Sequence, residues 1–257
     1  MNEREKEVEL FYDNIAKDFD QFEDRLSDKI LEHIILDNLP KNKKLRILDV
    51  GGGIGRFSKP LLELGHNVVM TDISKEMLEH AKKRLSNFNN ISFVKESASN
   101  MENQISNSFD VVMMINGVLN YCKDYEKAIK ESFRVLKKNG IFMGSVNNRF
   151  IYCRSHELKK EKYQLFEKNM KIGSRYIVWG GQKRGHISYE FTLDKLQKSL
   201  KRGKFKILKI LGPFNLLDKY EIEQIENKKE FIDLQVKYAR IPEYINNSTD
   251  FFFIAKK

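Results

Sequence analysis

The chain has 257 residues, 41% of them hydrophobic and 32% charged, with a formal net charge of +10 at pH 7, which is typical of a globular protein of about one domain. No apolar run reaches the ~18 residues that a transmembrane helix needs, so the composition excludes a helical membrane protein. The two cysteines lack a metal-ligand or redox spacing, and the charged start MNEREKEVEL differs from a secretory or transit peptide, so we expect a cytoplasmic protein with no metal.

Two amphipathic helices are predicted before the first strand. Apolar residues recur at helical spacing in residues 3–22 and again in residues 27–39. Ser27 is the expected N-cap of the second helix, and Pro40 is its expected stop signal.

From residue 45 onward, predicted strands and helices alternate. Each strand is an almost continuous apolar run, which is typical of a parallel sheet buried on both faces. With right-handed crossovers, this order predicts a doubly wound α/β sheet. Ser74 is the expected N-cap of the second helix of this series, and Gly140 the expected C-cap of the third. The predicted strands are 45–50, 67–72, 91–95, 109–115 and 141–146, and the predicted helices are 56–64, 75–87 and 124–138.

The alternation stops after residue 148. Residues 149–186 are basic and aromatic and have only weak periodicity. Regular elements then return, and Thr192 is the expected N-cap of the next helix. The remaining predicted elements are helix 193–201, strand 204–211, a helical region 216–240 and strand 250–255.

A glycine-rich turn follows the first predicted strand. The segment LRILDVGGGIGR, residues 45–56, passes from an apolar run into glycines, which can turn tightly and bring the backbone close to a ligand. Asp49 lies at the carboxyl end of the strand, where open α/β sheets bind ligands. The dinucleotide fingerprint needs its third glycine at position 56, which is Arg56, and no P-loop sequence is present. The turn therefore predicts a nucleoside-type ligand without a pyrophosphate.

Asp72, at the end of the second predicted strand, supports the same ligand class. A carboxylate at this place reaches over a ribose and accepts hydrogen bonds from both hydroxyls. The alternative is an N-cap for the next helix, but Ser74 already fits that role.

Four ordered segments resemble the successive motifs of the class I S-adenosylmethionine-dependent methyltransferases. The resemblance covers about residues 8–148 and returns at residues 190–193 and at the final strand. It implies S-adenosylmethionine as the cofactor and a mostly parallel, seven-stranded Rossmann-like sheet. The segments are DVGGGIG at 49–55, DISKEML at 72–78, FDVV at 109–112 and RVLKKNG at 134–140.

The resemblance implies a cofactor contact for each matching residue. The glycines of the turn would lie against the methionine moiety, with Asp49 near its ammonium group, and Asp72 would hold the ribose. The adenine would lie between Ile73 and Met77. The glycines concerned are Gly51, Gly53 and Gly55.

Three further places complete the implied cofactor site. Ser97 and Ala98 stand where many members have Asp-Ala, and a serine accepts a weaker hydrogen bond from the adenine amino group than an aspartate does. Asn116 ends the fourth strand beside the transferable methyl group. Tyr12 and Phe19 match aromatic positions of an N-terminal helix that lids the cofactor; packing between helices is the alternative for both.

The same resemblance implies a single domain over residues 1–257. Its parts would be N-terminal helices in 1–40, a cofactor-binding core in 41–148, a substrate-cap insertion in 149–186 and the C-terminal part of the sheet in 187–257. The cap offers aromatic and basic groups that suit an acidic or aromatic small molecule. The residues expected to meet the acceptor are Asn120, Asn147, Arg149, Tyr152, Arg154, Arg175, Tyr176, Trp179 and Tyr189.

Methyl transfer from a sulfonium is an in-line displacement that needs alignment more than a catalytic triad. A hydroxyl or ammonium acceptor must still lose a proton, for which His186 is the best candidate among five histidines, with Tyr121 facing the acceptor. A structural histidine and core packing of the tyrosine are the alternatives. We therefore predict methyl transfer to a hydroxyl or amine of a small metabolite.

The charge distribution leaves other functions open. Residues 1–148 hold 22 basic and 23 acidic residues, whereas residues 149–257 hold 24 basic and 13 acidic residues. The basic part indicates either an acidic partner or only a solvated surface. An RNA or peptide methyltransferase is thus one alternative, and a non-catalytic cofactor- or partner-binding protein with the same fold is another.

Overall fold

A computed structural model describes residues 3–22, 25–41, 43–178, 182–218 and 221–257. Its centre is a seven-stranded sheet with the order β3-β2-β1-β4-β5-β9-β8. The first five strands in this order are parallel, and β9 runs antiparallel to both of its neighbours. The doubly wound, mostly parallel sheet expected from the sequence is therefore confirmed. The strands are β1 Arg46–Val50, β2 Asn67–Asp72, β3 Ile91–Lys95, β4 Phe109–Met114, β5 Leu136–Asn147, β6 Ser174–Ile177, β7 His186–Tyr189, β8 Lys206–Leu211 and β9 Asp250–Lys256.

Ten α-helices are present in the described ranges. Four short 3₁₀ helices, Ala16–Phe22, Leu158–Lys160, Ile222–Gln224 and Pro242–Asn247, accompany them. No helix in these ranges is long and apolar enough to cross a membrane. The α-helices are α1 Glu3–Ile15, α2 Leu26–Asn38, α3 Ser58–Glu63, α4 Lys75–Arg84, α5 Val118–Tyr121, α6 Tyr125–Val135, α7 Arg149–His156, α8 Tyr163–Ile172, α9 Leu193–Arg202 and α10 Lys228–Tyr238.

The sheet is buried on both faces because its strands are apolar at successive positions. Side chains of a strand alternate between faces, so Ile47 joins one core cluster and Leu48 joins the other. Helices α2, α3, α4 and α10 contribute to the first cluster, and α6 and α9 contribute to the second. A third, smaller cluster joins α1 and the following 3₁₀ helix to Ile54 and Met77. The amino-terminal segment is thereby held over the carboxyl ends of the parallel strands.

Several local predictions were wrong. Helix α2 begins at Leu26, and Ser27 is not its cap, because its backbone N–H and hydroxyl both donate to the Glu223 carboxylate. Helix α6 ends at Val135, and Gly140 lies inside β5 instead of capping a helix. In the described part of the predicted helical region 216–240, the helices are the 3₁₀ helix Ile222–Gln224 and α10. Ser74 and Thr192 are N-caps as predicted.

The region 149–186, with weak periodicity in sequence, contains α7, α8 and β6 among its described residues, and β6 pairs antiparallel with β7. A buried ionic group holds this region together: Arg175 lies 3.3 Å from Glu190 and 3.5 Å from Glu157. Burial raises the pKa of Glu190 to about 7, although Arg175 opposes that shift. Arg175 therefore serves the interior of the cap region and is not available to an acceptor, contrary to the expectation.

Candidate active site

A pocket of about 980 Å³, including its opening to solvent, lies at the carboxyl ends of β1, β2 and β4 beneath α1. Its size is within the range of small-molecule and cofactor sites. The strand ends, the glycine turn and the amino-terminal helix all contribute to its wall. The lining residues are Glu5, Val8, Tyr12, Phe19, Asp49, Gly51, Gly52, Gly53, Ile54, Arg56, Phe57, Asp72, Ile73, Met77, Glu96, Ser97, Ala98, Ile115, Asn116, Val118, Tyr121 and Cys122.

The glycine turn has left-handed backbone at three positions: φ is +65° at Gly51, +59° at Gly53 and +81° at Gly55. A Cβ at Gly51 would meet Val118 at 2.6 Å, and one at Gly55 would meet Leu85 at 2.6 Å. At Gly53 a Cβ would have no atom within 4 Å. Gly55 does not line the pocket, so its role is to allow the backbone conformation of the turn. Gly53 does line the pocket, and the space beside its Cα is open.

The Asp72 carboxylate accepts hydrogen bonds from two backbone N–H groups at the pocket wall. Gly53 N donates at 2.9 Å and Ser74 N donates at 2.8 Å. Burial raises the pKa of Asp72 to about 6, although these hydrogen bonds oppose the shift. The carboxylate thus ties the end of β2 to the glycine turn while facing the pocket.

Asp49 is the second buried carboxylate of the wall. Its Oδ2 accepts a hydrogen bond from the Ser58 hydroxyl at 2.7 Å. Burial raises the pKa of Asp49 from 3.8 to about 6, and the nearby charge of Asp72 adds to the rise. Two acidic groups in one buried wall favour a ligand that carries a positive charge or several hydrogen-bond donors.

We expect Asp49→Asn to stabilise the ligand-free protein at pH 7.5 by about 1–3 kcal/mol, because each unit of pKa shift corresponds to about 1.4 kcal/mol. The folded state binds the Asp49 proton more tightly than the unfolded state does. Ionisation of Asp49 therefore lowers the free energy of unfolding by its full amount above pH 6. The loss becomes smaller as the pH falls below 6, and it is absent below pH 3.8. Urea unfolding of both proteins at pH 7.5 and pH 4 measures the difference.

Asp110→Asn is the matched control for this experiment. Burial alone would raise the pKa of Asp110, but hydrogen bonds from Arg46 N, Lys43 and Lys137 bring it below its ordinary value. Its replacement should lower stability at pH 7.5. A pH-independent effect of Asp49→Asn would contradict the buried, ionisable Asp49 of this structure.

The side of the pocket after β2 and β3 has apolar walls and the two acidic residues Glu5 and Glu96. Ile73, Met77 and Ala98 lie here. The Ser97 hydroxyl donates to Oε1 of Glu5 on α1 at 2.6 Å, and the Ser99 hydroxyl donates to the same atom at 2.8 Å. Glu5 was not predicted from sequence; the only signal was an acidic residue among the charged positions of the first turn of α1.

Aromatic rings from α1 and α5 meet on another side. The ring centroids of Tyr12 lie 6.1 Å from Tyr121 and 6.3 Å from Phe19. Burial raises the pKa of Tyr12 well above its ordinary value, and the hydrogen bond with Tyr121 adds to this rise. The rings of Tyr12 and Phe19 line the pocket and also pack against other residues, so their lid role over the cofactor stays a prediction.

Asn116 follows β4 in left-handed backbone, with φ of +56°. Its N–H donates to the Ser145 hydroxyl at 2.8 Å, and its Nδ2 donates to Oδ1 of Asp28 at 3.2 Å. Arg56 forms an ion pair with the same aspartate and stacks over Phe19 at 5.5 Å. Arg56 and Asp28 were not among the predicted site residues because only the folded chain brings α2 to this turn.

His186 is fully buried and is not part of the pocket wall. Its ring packs against those of Tyr121 at 4.6 Å and Phe11 at 4.8 Å, and its Nε2 has no hydrogen-bond partner. Burial lowers the pKa of His186 to about 4. The geometry therefore corrects the expectation that His186 is the general base and favours the alternative of a structural histidine, because the ring lies in an aromatic cluster where it is a weak base.

Asn120 and Tyr189 also lie away from the pocket wall. The Asn120 side chain donates to the Tyr189 carbonyl and accepts from Asn147 N, so it joins the hairpin to β5. The Tyr189 ring contacts Arg4 and Tyr125.

The predicted cap residues that are described make contacts within the cap and its surroundings. Arg149 donates to the carbonyls of Glu190 and Met170, and the Tyr152 hydroxyl donates to Asp250 at 3.3 Å. Tyr176 is exposed, and Arg154 lies at a second cavity. Trp179 lies outside the described residues. None of these described side chains reaches the pocket, because α7 and β6 carry them to other surfaces.

The chain is similar in sequence to proteins of quinone biosynthesis. Residues 48–144 match the family model of the methyltransferase domain. A ubiquinone/menaquinone biosynthesis C-methyltransferase of Rickettsia bellii is 28% identical over 221 residues, which cover 80% of this chain and 84% of that protein. A ubiquinone biosynthesis O-methyltransferase of Pelagibacter ubique is 35% identical over 175 residues, covering 66% and 59%.

The fold is shared with a solved S-adenosylmethionine-dependent methyltransferase of Methanosarcina mazei. The TM-score is 0.62 at 21% identity, and the match covers 87% of this chain and 96% of the other. The pocket also fits this cofactor: Asp72 offers a buried carboxylate, and the wall at Gly53 is open. Residues 48–144 therefore carry a methyltransferase domain, and the chain is an S-adenosylmethionine-dependent methyltransferase with S-adenosylmethionine as its cofactor and a class I fold.

Proposed function

We propose that this methyltransferase acts on a hydroxyl or amine of a small metabolite, with a phenolic hydroxyl the preferred acceptor. The observation that carries this proposal is the enclosure of the Asn116 side of the pocket by Tyr12, Phe19 and Tyr121 beneath α1. Such a wall suits a small, partly apolar ring better than a peptide or a folded RNA.

In this proposal, the chain binds and orients the cofactor. Asp72 accepts the ribose hydroxyls, and Ile73 and Met77 enclose the adenine. Asp49 and the glycine turn hold the methionine moiety. When bound, S-adenosylmethionine supplies an electrophilic methyl group on a sulfonium. Much of the rate enhancement then comes from holding the acceptor in line and excluding water.

The absence of a histidine from the described wall favours an acceptor that ionises readily by itself. An aliphatic hydroxyl would need a strong base, whereas a phenol has a pKa near that of tyrosine, about 10. The lowered pKa of His186 also argues against a histidine base. The two relatives act in ubiquinone or menaquinone biosynthesis by their names, which supports an aromatic small molecule here.

The basic part of the chain gives less support to a nucleic-acid substrate. Several of its cations are already engaged by protein groups: Arg175 by two glutamates, Arg202 by Glu126 and Arg240 by Asp37. Lys195 lies over an aromatic ring, 4.6 Å from the centroid of Phe191. These contacts favour the interpretation of a structural and solvated basic surface.

Labelled S-adenosylmethionine tests this function directly. The enzyme is incubated with simple phenols, quinols and amines, with a small-molecule cell extract and with total RNA, and Asp72→Ala serves as the cofactor-defective control. We expect label in the small organic fraction at least about tenfold above that control, with phenols labelled fastest. Label that enters only RNA, or only the protein itself, would contradict the proposal.

A further inference from the structure

Helix α5 is a single turn that carries two residues of the pocket wall. It spans Val118–Tyr121, and both of its end residues line the pocket. Two residues in left-handed backbone precede it, Asn116 with φ of +56° and Gly117 with φ of +96°. A helix of this length is not stable by itself, because too few hydrogen bonds offset the cost of ordering its backbone. The position of the Tyr121 ring at the wall therefore depends on contacts that α5 makes with the rest of the fold.

Asn120 makes the polar contacts that hold α5 in place. Its side chain is fully buried and lies away from the pocket wall. Its Nδ2 donates to the carbonyl of Tyr189 at the end of β7 at 2.5 Å, and its Oδ1 accepts from the N–H of Asn147 at the end of β5 at 3.2 Å. A carbonyl only accepts and a backbone N–H only donates, so one orientation of the amide satisfies both partners. Asn120 thus joins α5 to one strand of each sheet.

The Tyr121 ring is packed closely by its neighbours and moves with α5. A Cβ at Gly117 would lie 2.6 Å from this ring. The ring meets the edge of His186 with the centroids 4.6 Å apart, and its centroid lies 6.1 Å from that of Tyr12. A shift of α5 would therefore displace the Tyr121 ring at the wall.

We propose that Asn120 is a positioning residue for the methyl acceptor, because its two hydrogen bonds fix the wall against which the acceptor ring lies. This inference rests on the proposed function, in which a phenolic ring occupies the side of the pocket near Tyr121. A displacement of about 1 Å in a reacting group can cost a factor of about one hundred in rate. Through Asn120, the β6–β7 hairpin influences the acceptor, although β7 contributes no residue to the described pocket wall.

The test separates acceptor binding from cofactor binding. The probe is whichever of phenol, catechol and hydroquinone the wild-type enzyme labels fastest from labelled S-adenosylmethionine. We expect Asn120→Ala to raise the KM for this phenol at least tenfold, while the Kd for S-adenosylhomocysteine stays within threefold of wild type. A loss of folded protein would lower kcat and the stoichiometry of the calorimetric titration, but it would leave KM unchanged. Asn120→Leu, which is close in volume to asparagine, should raise KM in the same way and serves if the alanine variant does not fold.

Asn148→Ala is the matched control for these variants. Asn148 is also buried, and its Nδ2 donates to the carbonyls of Asn246 and Ser248 at 2.9 Å each, but it does not line the pocket. Its replacement should lower the thermal melting temperature by an amount comparable to that of Asn120→Ala and keep the KM within twofold of wild type. A wild-type KM in the Asn120 variants, or an equal rise of KM in Asn148→Ala, would overturn the proposal.

A double-mutant cycle with Tyr121→Ala tests the route of the effect. Because Asn120 acts through the Tyr121 ring, adding Asn120→Ala to Tyr121→Ala should change kcat/KM by less than threefold. Independent, additive losses would overturn this route. If the wild-type protein binds S-adenosylhomocysteine but labels none of the three phenols, the proposed function fails and the role of Asn120 fails with it. A contrary result confined to the Asn120 variants overturns only the positioning role.

Discussion

We expect Asp72→Ala to weaken the binding of S-adenosylhomocysteine by at least about tenfold. A hydrogen bond to a charged group contributes about 1.5–3 kcal/mol, and 1.4 kcal/mol corresponds to a factor of ten in Kd. The loss should be large because the carboxylate has two tasks. It is the proposed acceptor for the ribose hydroxyls, and it also holds Gly53 N at 2.9 Å. Isothermal titration of both proteins gives the ratio.

Asp110→Ala is the matched control for this variant. Asp110 also accepts a backbone N–H, that of Arg46 at 2.9 Å, but it lies at the start of β4, away from the pocket. Its removal should leave the affinity for S-adenosylhomocysteine within about twofold of wild type. Equal affinities of the wild-type protein and Asp72→Ala would show that Asp72 does not bind the ribose.

The second large effect is expected from Gly53→Ala. Its φ of +59° makes alanine strained by roughly 1–2 kcal/mol, but no protein atom lies within 4 Å of the new Cβ. The methyl group would instead enter the space where we propose the cofactor. We expect the affinity for S-adenosylhomocysteine to fall at least tenfold, measured by titration, while the protein still folds.

Gly65→Ala separates this steric effect from backbone strain. Gly65 has a φ of +80° and also has no atom within 4 Å of a new Cβ, but it follows α3 outside the pocket wall. Both alanine variants should lose similar amounts of stability in urea unfolding, and only Gly53→Ala should lose affinity. If both bind S-adenosylhomocysteine as the wild-type protein does, the cofactor does not lie against Gly53.

Local patterns predicted the sheet well because each parallel strand is an apolar run with a short connection. The segments 45–50 and 67–72 pair directly in the structure, with Ile47 opposite Val68. Ser74 is an N-cap as predicted because its partner, Met77 N, is three residues away. Elements whose stabilising contacts are local in sequence could therefore be identified from the sequence alone.

Predictions failed where the decisive partner is distant in sequence. Ser27 has the residue type of an N-cap, but Glu223, 196 positions later, accepts its hydrogen bonds. Gly140 follows a helical pattern in the sequence. In the structure, the residues around it pair with β4 and β9, so β5 continues through Gly140. No pattern in one segment contains this information.

The same distinction applies to the candidate site. Gly53 and Asp72 could be selected because strand ends in a parallel sheet share one edge. His186 and Arg149 were misplaced because their positions depend on how the β6–β7 hairpin and α7 pack, which weak periodicity did not indicate. Glu5 was missed as a wall residue because its burial depends on where the first turn of α1 packs, which its charged local sequence does not indicate.

The position of β9 has a consequence for biosynthesis. This strand lies between β5 and β8 and supplies Phe252 to one core cluster and Phe253 to the other. The ribosome synthesises residues 250–256 after all the other strands of this sheet. Strands β5 and β8 therefore lack their shared neighbour until translation reaches β9. The parallel half of the sheet is thus able to assemble during translation. The two core clusters are completed only when β9 pairs with β5, which joins residues more than 100 positions apart, such as Ile141 and Lys256.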